Sequence, residues 1–201
     1  MNRIILTALV ASAVCFSQIA RAKDSGGYFG AGLADGLLSA CANTANYTCN
    51  NSNFTSTSPG THLRLIGGYD FKKFIGVEAG LSEFGSYKVS DTTGLVNVGS
   101  VRASAFTLAA RGGYKFNFGL SVFGKLGLAS VWTKYTSNPG WTWPANMGTS
   151  QQTMGMVAGL GWQYDFDDAL GIRMSFENIE FNDTGYKGGF ASTNLMVVFK
   201  F

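Results

Sequence analysis

Ala191-Ser-Thr-Asn-Leu-Met-Val-Val-Phe-Lys-Phe201 alternates two kinds of side chain. Thr193, Leu195, Val197, Phe199 and Phe201 suit an oily surface, whereas Ser192, Asn194, Met196, Val198 and Lys200 form a mixed set that ends in a charge. A period of two puts neighbours on opposite faces only in an extended strand. Closing that strand on an aromatic residue, one place after a lysine, is unusual for a soluble domain, whose ends trail off in polar residues. A membrane-spanning β-strand of about 9 to 11 residues, with lipid on one face and a lumen on the other, accounts for both features.

At the other end, residues 1–22 have an early arginine, an apolar run from Ile4 to Phe16 and the small-x-small tripeptide Ala20-Arg21-Ala22. This reads as a secretory signal peptide with cleavage before Lys23, since the run falls short of the roughly 20 apolar residues of a spanning helix. Cys15 follows Val14, where lipoprotein processing needs a small residue, so lipidation is not expected. Residues 23–201 then form one domain. Arg3 and Arg21 leave with the leader, so the 15 basic and 12 acidic residues become 13 and 12. A balance near neutrality with no cationic run gives no reason to expect a nucleic-acid partner. Beyond the leader no apolar run approaches membrane-helix length, which excludes a helical membrane protein but leaves a closed barrel open.

The same alternation recurs along the chain. Leu63, Leu65, Gly67, Tyr69 and Phe71 oppose Arg64, Ile66, Gly68 and Asp70, and after a short turn at Lys72-Lys73 come Ile75, Val77, Ala79 and Leu81 against Gly76, Glu78, Gly80 and Ser82. Phe106 to Phe116 and Leu120 to Trp132 flank a turn at Asn117-Phe118-Gly119, and Met154 to Phe166 and Leu170 to Phe176 flank one at Asp167-Asp168. With a first strand near Gly27 to Ala34 and the terminal strand, the expected fold is all-β: an eight-stranded antiparallel up-and-down transmembrane β-barrel. The polar connections expected between strands run from about Asp35 to Gly60, Gly85 to Gly99, Ser137 to Gly148 and Asn182 to Gly188. Long and short connections alternate, as in outer-membrane barrels with short periplasmic turns, which places both termini in the periplasm.

Two further regularities support a lipid-facing exterior. Tyr69, Phe71, Phe74, Tyr114, Phe116, Trp162, Tyr164, Phe166, Phe199 and Phe201 gather at the short-turn ends as an interfacial girdle, and Trp132, Phe84 and Phe190 are candidates for the opposite one. Strand charges fall on the inward set: Arg64, Glu78, Arg111, Lys125, Arg173, Glu177 and Lys200. There they avoid the roughly 2 to 4 kcal/mol cost of facing mid-bilayer lipid. A soluble lipocalin-like barrel reverses this arrangement.

Read in order, Phe74-Ile-Gly-Val-Glu-Ala-Gly-Leu81, Ala110-Arg-Gly-Gly-Tyr114, Val122-Phe-Gly-Lys-Leu-Gly127, Gly159-Leu-Gly-Trp-Gln-Tyr164 and the terminal aromatic strand resemble the membrane domain of the OmpA-like outer-membrane proteins, along essentially the whole mature chain. Larger members add a peptidoglycan-binding domain, which this sequence lacks, so that anchoring role is not implied. The resemblance implies a lumen glutamate paired with a base on the next strand, matched by Glu78 and Arg111. It departs where the Arg-x-Glu usual on the seventh strand reads Arg173-Met174-Ser175, with the nearest carboxylate at Glu177, so a packed charge network is expected and a gating switch is not. Phe199 and Phe201 resemble the signal read by barrel-assembly machinery. The partners implied are outer-membrane lipid and lipopolysaccharide, that machinery and periplasmic chaperones, around a monomer in the outer membrane of a Gram-negative bacterium.

An eight-stranded barrel has an interior just wide enough for side chains to fill. Glu78 is expected near Arg64 and Arg111, with five inward bases (Arg64, Arg111, Lys125, Arg173, Lys200) serving two acids (Glu78, Glu177). The function expected is therefore a structural surface barrel with a plugged, charged lumen, whose external loops are adhesive or bind a host or environmental ligand; a narrow porin-like channel is the alternative. A lipid A-modifying enzyme ranks last, because His62 is followed by Leu63 and lacks the His-x-Ser of the deacylases. No cofactor is expected, nor a metal, since the mature chain has His62 as its one histidine. Cys41 and Cys49 are expected to form a disulfide across the first loop, as suits an exported protein. Trp141 and Trp143 are loop-binding candidates, although tryptophan is also the usual residue of a lipid interface.

Overall fold

A computed structural model describes residues 25–42, 55–57, 61–72, 75–90, 97–139, 150–183 and 186–201. The strands are β1 (Gly26–Ala42), β2 (Thr55–Thr57), β3 (His62–Lys72), β4 (Ile75–Ser90), β5 (Asn97–Lys115), β6 (Leu120–Ser137), β7 (Ser150–Asp165), β8 (Leu170–Asp183) and β9 (Tyr186–Lys200). Eight long antiparallel strands close into a barrel, each paired with its chain neighbours, and β1 meets β9 from Tyr28↔Lys200 to Ala42↔Tyr186. The three residues of β2 pair with Lys88 to Ser90 of β4, where β4 rises past the start of β3. Over Tyr28 to Ala34 β1 is paired on both sides, by β3 and by β9, so the sheet closes on itself there, the condition for crossing a bilayer with strands.

Through the middle of the strands the two faces divide as expected. Leu63, Tyr69, Ile75, Leu81, Leu108, Leu126, Met156, Leu160 and Leu195 lie exposed on the outer wall, while Arg64, Glu78, Arg173 and Glu177 are buried inside. Tight turns from Lys115 to Leu120 and from Asp165 to Leu170 lie at the same end as Gly26 and Lys200. Gly119 turns the first of them at φ +88°, a conformation that suits glycine alone. Aromatic pairs mark this end: Tyr69 with Phe71, Tyr114 with Phe116 and Tyr164 with Phe166, at centroid distances of 5.4, 5.0 and 5.5 Å.

The strands run further than hydrophobic alternation indicates. β1 continues to Ala42, β4 to Ser90 and β5 starts at Asn97, so parts of the expected loops 35–60 and 85–99 are strand; β8 and β9 likewise continue into the connection expected from Asn182 to Gly188. Above the apolar belt the outer face turns polar, as at Arg102 and Lys134, while Val101, Ala103, Val131 and Tyr135 are buried in the lumen, so the hydrophobic alternation changes sense while the backbone ladder persists. A β-bulge between Glu83 and Gly85, with Gly85 at φ 72°, also resets the alternation. Phe84 and Phe190, expected in an outer girdle, are instead buried in the lumen, stacked at 4.4 Å and flanked by Phe181. Trp132 does face outward. Residues 1–22, Cys49, Trp141 and Trp143 lie outside the described residues, and Cys41 is described only in its backbone, so the leader, disulfide and tryptophan expectations stand as sequence readings.

At the seam, Gly27 N–H donates to Phe201 O at 3.0 Å and Phe201 N–H donates to Gly27 O at 2.9 Å. The Phe201 ring covers Gly27 so closely that a Cβ there would sit 2.5 Å from the ring. Phe201→Asp is therefore expected to reduce the heat-modifiable folded band on an unboiled gel several-fold. An unchanged band would contradict this account of closure.

Candidate functional site

Small inward residues make room for large ones. On β1 the inward set is Tyr28, Gly30, Gly32, Ala34 and Gly36, so one ring projects inward while Ile66, Met196 and His62 from the neighbouring strands fill the space over the glycines. Opposite, a Cβ at Gly68 would collide with the Tyr28 ring, one at Gly161 would lie 2.6 Å from the Phe123 ring, and one at Gly159 would lie 3.1 Å from both Lys125 Cε and Glu177 Cγ. The glycines form the cradle of a charged plug.

The plug is built across the lumen. Glu78 (β4) accepts from Lys125 Nζ (β6) at 2.8 Å, from Arg173 Nη1 (β8) at 2.5 Å and from the Tyr28 hydroxyl (β1) at 2.9 Å. Glu177 (β8) pairs with Lys125 at 2.6 Å and with Arg64 (β3) at 2.5 Å. Lys125 thus bridges both carboxylates. Arg64 also donates to Ser82, Ser175 Oγ donates to Glu177 at 3.2 Å, and Arg173 Nε donates to Gln163 at 2.8 Å. Such multiple pairing is what lets charges remain in a confined site, because an isolated buried ion costs several kcal/mol.

Arg64, Glu78, Lys125, Arg173 and Glu177 are buried in the lumen, and several of the inward charges have partners other than those expected. Arg64 and Arg111, expected beside Glu78, pair instead with Glu177 and with Asp70, the latter at 2.6 Å. Cross-strand adjacency suggests the expected pairs, whereas long side chains reach across the lumen, a distance invisible in strand order. Arg111 does face Lys125 across the β5–β6 hairpin. Two inward acids escaped the expected network, although their alternation marks them: Asp70, and Asp165 at the short-turn rim. Asp165 accepts from Lys200 at 2.5 Å, Lys115 at 3.0 Å and Gln163 at 2.6 Å, so Lys200 belongs to this rim cluster and not to the central plug. Tyr28 and Phe123 were also missed as site residues; the Arg111 and Arg173 guanidinium carbons lie 5.2 and 4.7 Å from the Tyr28 ring centre and 5.1 and 5.0 Å from that of Phe123. These distances are within cation–π range.

A second, apolar storey fills the lumen toward the long-loop end. Phe84, Phe181 and Phe190 pack with Val101, Val131, Tyr135, Val157 and Ile179. His62 joins it, its ring 5.0 Å from that of Phe84.

Residues 6–201 match the family described as "Outer membrane protein beta-barrel domain". The chain belongs to that family. Among solved structures, it is similar to the attachment invasion locus protein Ail of Yersinia pestis, at 16% identity and TM-score 0.52, covering 89% of this chain and 99% of that one. It is also similar to the outer membrane protein OprG of Pseudomonas aeruginosa, at 17% identity and TM-score 0.60, covering 89% and 97%. The N-terminal β-barrel domain of Pseudomonas aeruginosa OprF gives 14% identity and TM-score 0.54, covering 88% and 98%. At these identities the likeness is one of fold. Comparison with curated proteins gives no match.

Glu78→Ala would leave Lys125 with one carboxylate and Arg173 without its ion-pair partner, at a cost of about 3 to 5 kcal/mol. The unfolding midpoint in lipid vesicles should fall accordingly, while Glu83→Ala on the outer wall leaves it in place. Equal midpoints for the two variants would show that Glu78 does not brace the lumen.

Proposed function

We propose that this protein is a surface barrel of the Gram-negative outer membrane that works through its exterior and its long-loop end, with the tight turns and both termini in the periplasm. The observation that carries this reading is the filling of the lumen at two levels, by the Glu78–Lys125–Glu177–Arg64 chain and by the Phe84–Phe190–Phe181 stack. A solute would have to break buried ion pairs and then part stacked rings, so the filled lumen counts against a narrow channel. The position of His62 against Phe84, inside the apolar storey, supports a packing role over a catalytic one.

What then reaches the environment is the barrel top and its connections, where β1, β4, β5 and β6 rise above the apolar belt. Rigid strands that carry loops beyond the membrane are suited to presenting a binding surface. The likeness to a protein titled an attachment invasion locus protein supports an adhesive role, which residues 43–54 and the Trp141-Thr-Trp143 segment of residues 140–149 would carry.

Replacing 43–54 and 140–149 by short Gly-Ser linkers should leave the heat-modifiable band intact and lower adhesion of expressing bacteria to host cells several-fold. Undiminished adhesion would refute the loop assignment. Solute entry into proteoliposomes at a rate typical of a porin would overturn the closed-lumen reading.

A further inference from the structure

The outer wall of β5 carries only apolar side chains and glycine from Tyr114 up to Phe106, and that of β6 likewise from Leu120 to Leu128. Above them come Ser104, Ser130 and the outward Trp132, and then the outer wall changes character. Arg102 of β5 lies directly opposite Lys134 of β6. Both are exposed, while their chain neighbours Val101, Ala103, Thr133 and Tyr135 are buried in the lumen, so the two cations share the outer face. Opposed side chains on paired strands have Cβ atoms about 4.5 to 5.5 Å apart, and like charges in that position are destabilising.

Among the described residues neither cation forms an ion pair, and the one carboxylate that lines a recess with them, Glu83, lies a register row away and balances one charge of the two at most. The flanking strands add hydroxyls to the same row: Ser86 of β4 faces Arg102, and Ser150 of β7 faces Lys134. Four adjacent strands therefore present Ser86, Arg102, Lys134 and Ser150 side by side, two cations between two hydroxyls. One register row below, Ser104 faces Trp132, and Glu83 faces Ser104. Arg102, Lys134, Ser150, Trp132 and Glu83 line a shallow recess of about 440 Å³ whose floor includes Leu63, Leu65 and Leu81.

Height decides what such a row meets. Arg102 stands 12 residues above Tyr114 on one strand, and at about 3.3 Å per residue and a tilt near 40° that is roughly 30 Å along the barrel axis. The apolar band of an outer-membrane barrel is about 25 Å tall, so the row lies just past its outer edge. A headgroup there is within reach while its acyl chains lie on the leucines below. The paired guanidinium and ammonium, flanked by hydroxyl donors, suit a phosphate monoester or diester.

We propose that Ser86, Arg102, Lys134 and Ser150 form a binding site on the outer wall for the phosphate of an outer-leaflet glycolipid, the lipid A part of lipopolysaccharide, with Trp132 at its interface and the recess above Leu63, Leu65 and Leu81 taking the acyl root. This rests on the proposed orientation, with the long-loop end outward, but the binding it describes can be measured without reference to orientation. The anion offsets the Arg102–Lys134 repulsion, so the site is filled when the barrel is in its own membrane. Glu83 leaves the cluster with a net positive charge and sets a limit on how many phosphates it can hold.

The test uses the full mature barrel refolded in a neutral detergent, with bis-phosphorylated lipid A as probe and dephosphorylated lipid A as its control. Wild type should bind the phosphorylated form at least tenfold more tightly than the control. Arg102→Gln/Lys134→Gln should lose most of that difference, and Arg102→Lys/Lys134→Arg should retain it. Because both side chains are exposed, all variants should keep the heat-modifiable band, which separates loss of binding from loss of fold. Equal binding of the two lipids by wild type, or undiminished preference in the double glutamine variant, would overturn the proposal. So would displacement of lipid A by a soluble sulfated oligosaccharide at equal concentration, which would assign the row to a polyanion outside the membrane.

Discussion

Lys125 stands between Glu78 and Glu177 at 2.8 and 2.6 Å, and that shared cation constrains most of the interior. Two carboxylates in a closed lumen repel unless a cation is held between them, and one cation placed there draws β4, β6 and β8 to a fixed spacing. Arg64 and Arg173 complete the neutralisation from β3 and β8. The glycines at 68, 159 and 161 follow from the same requirement, because any larger residue would occupy the space the charged and aromatic chains need. Buried ionic groups are weak evidence for stability by themselves, since well-packed apolar residues can replace them at little cost. Here they hold opposite walls of a barrel whose lipid-facing surface offers no hydrophobic driving force between strands, and they fix which walls approach.

The sequence is most legible where the solvent differs on the two faces of a strand. Between Tyr114 and Phe106 or between Leu120 and Leu128, lipid and lumen demand opposite chemistry, and the period of two is plain. Beyond the apolar belt the outer face no longer has to be oily, so in upper β5 the period of two persists with its polarity reversed, Val101, Ala103 and Ala105 inside and Arg102 outside, and a search for apolar outward faces stops short of it. Phe84 differs: it keeps the inward parity of Glu78, Gly80 and Ser82, and the bulge shifts only the residues beyond it, so the alternation marks it as inward although an aromatic residue near a strand end suits a girdle. Partner choice among the charges is least legible, because Arg64 and Glu177 are separated by 113 positions and meet across the lumen from strands that have β1 and β9 between them.

The two storeys of the lumen divide the labour of closure. The lower one is polar, directional and dependent on each member, so its loss is expected to be felt as a drop in stability. The upper one is a ring stack with aliphatic neighbours, which tolerates small adjustments and excludes water without strict geometry. Among the described residues the lumen is filled at both levels, and under the proposed function chemistry available to other molecules lies on the outer wall and at the long-loop end, with Arg102, Lys134 and Trp132.

The central claim is that the cross-lumen pairs act together and are not independent surface-like bridges. A double-mutant cycle on Arg64→Met and Glu177→Gln, read from reversible urea unfolding in lipid vesicles, measures this directly. Residues in one ionic network show coupling of about 0.5 to 3 kcal/mol, and a buried pair should lie at the upper end, with the double variant losing clearly less than the two single losses combined. Additive losses, with coupling indistinguishable from zero, would contradict the account.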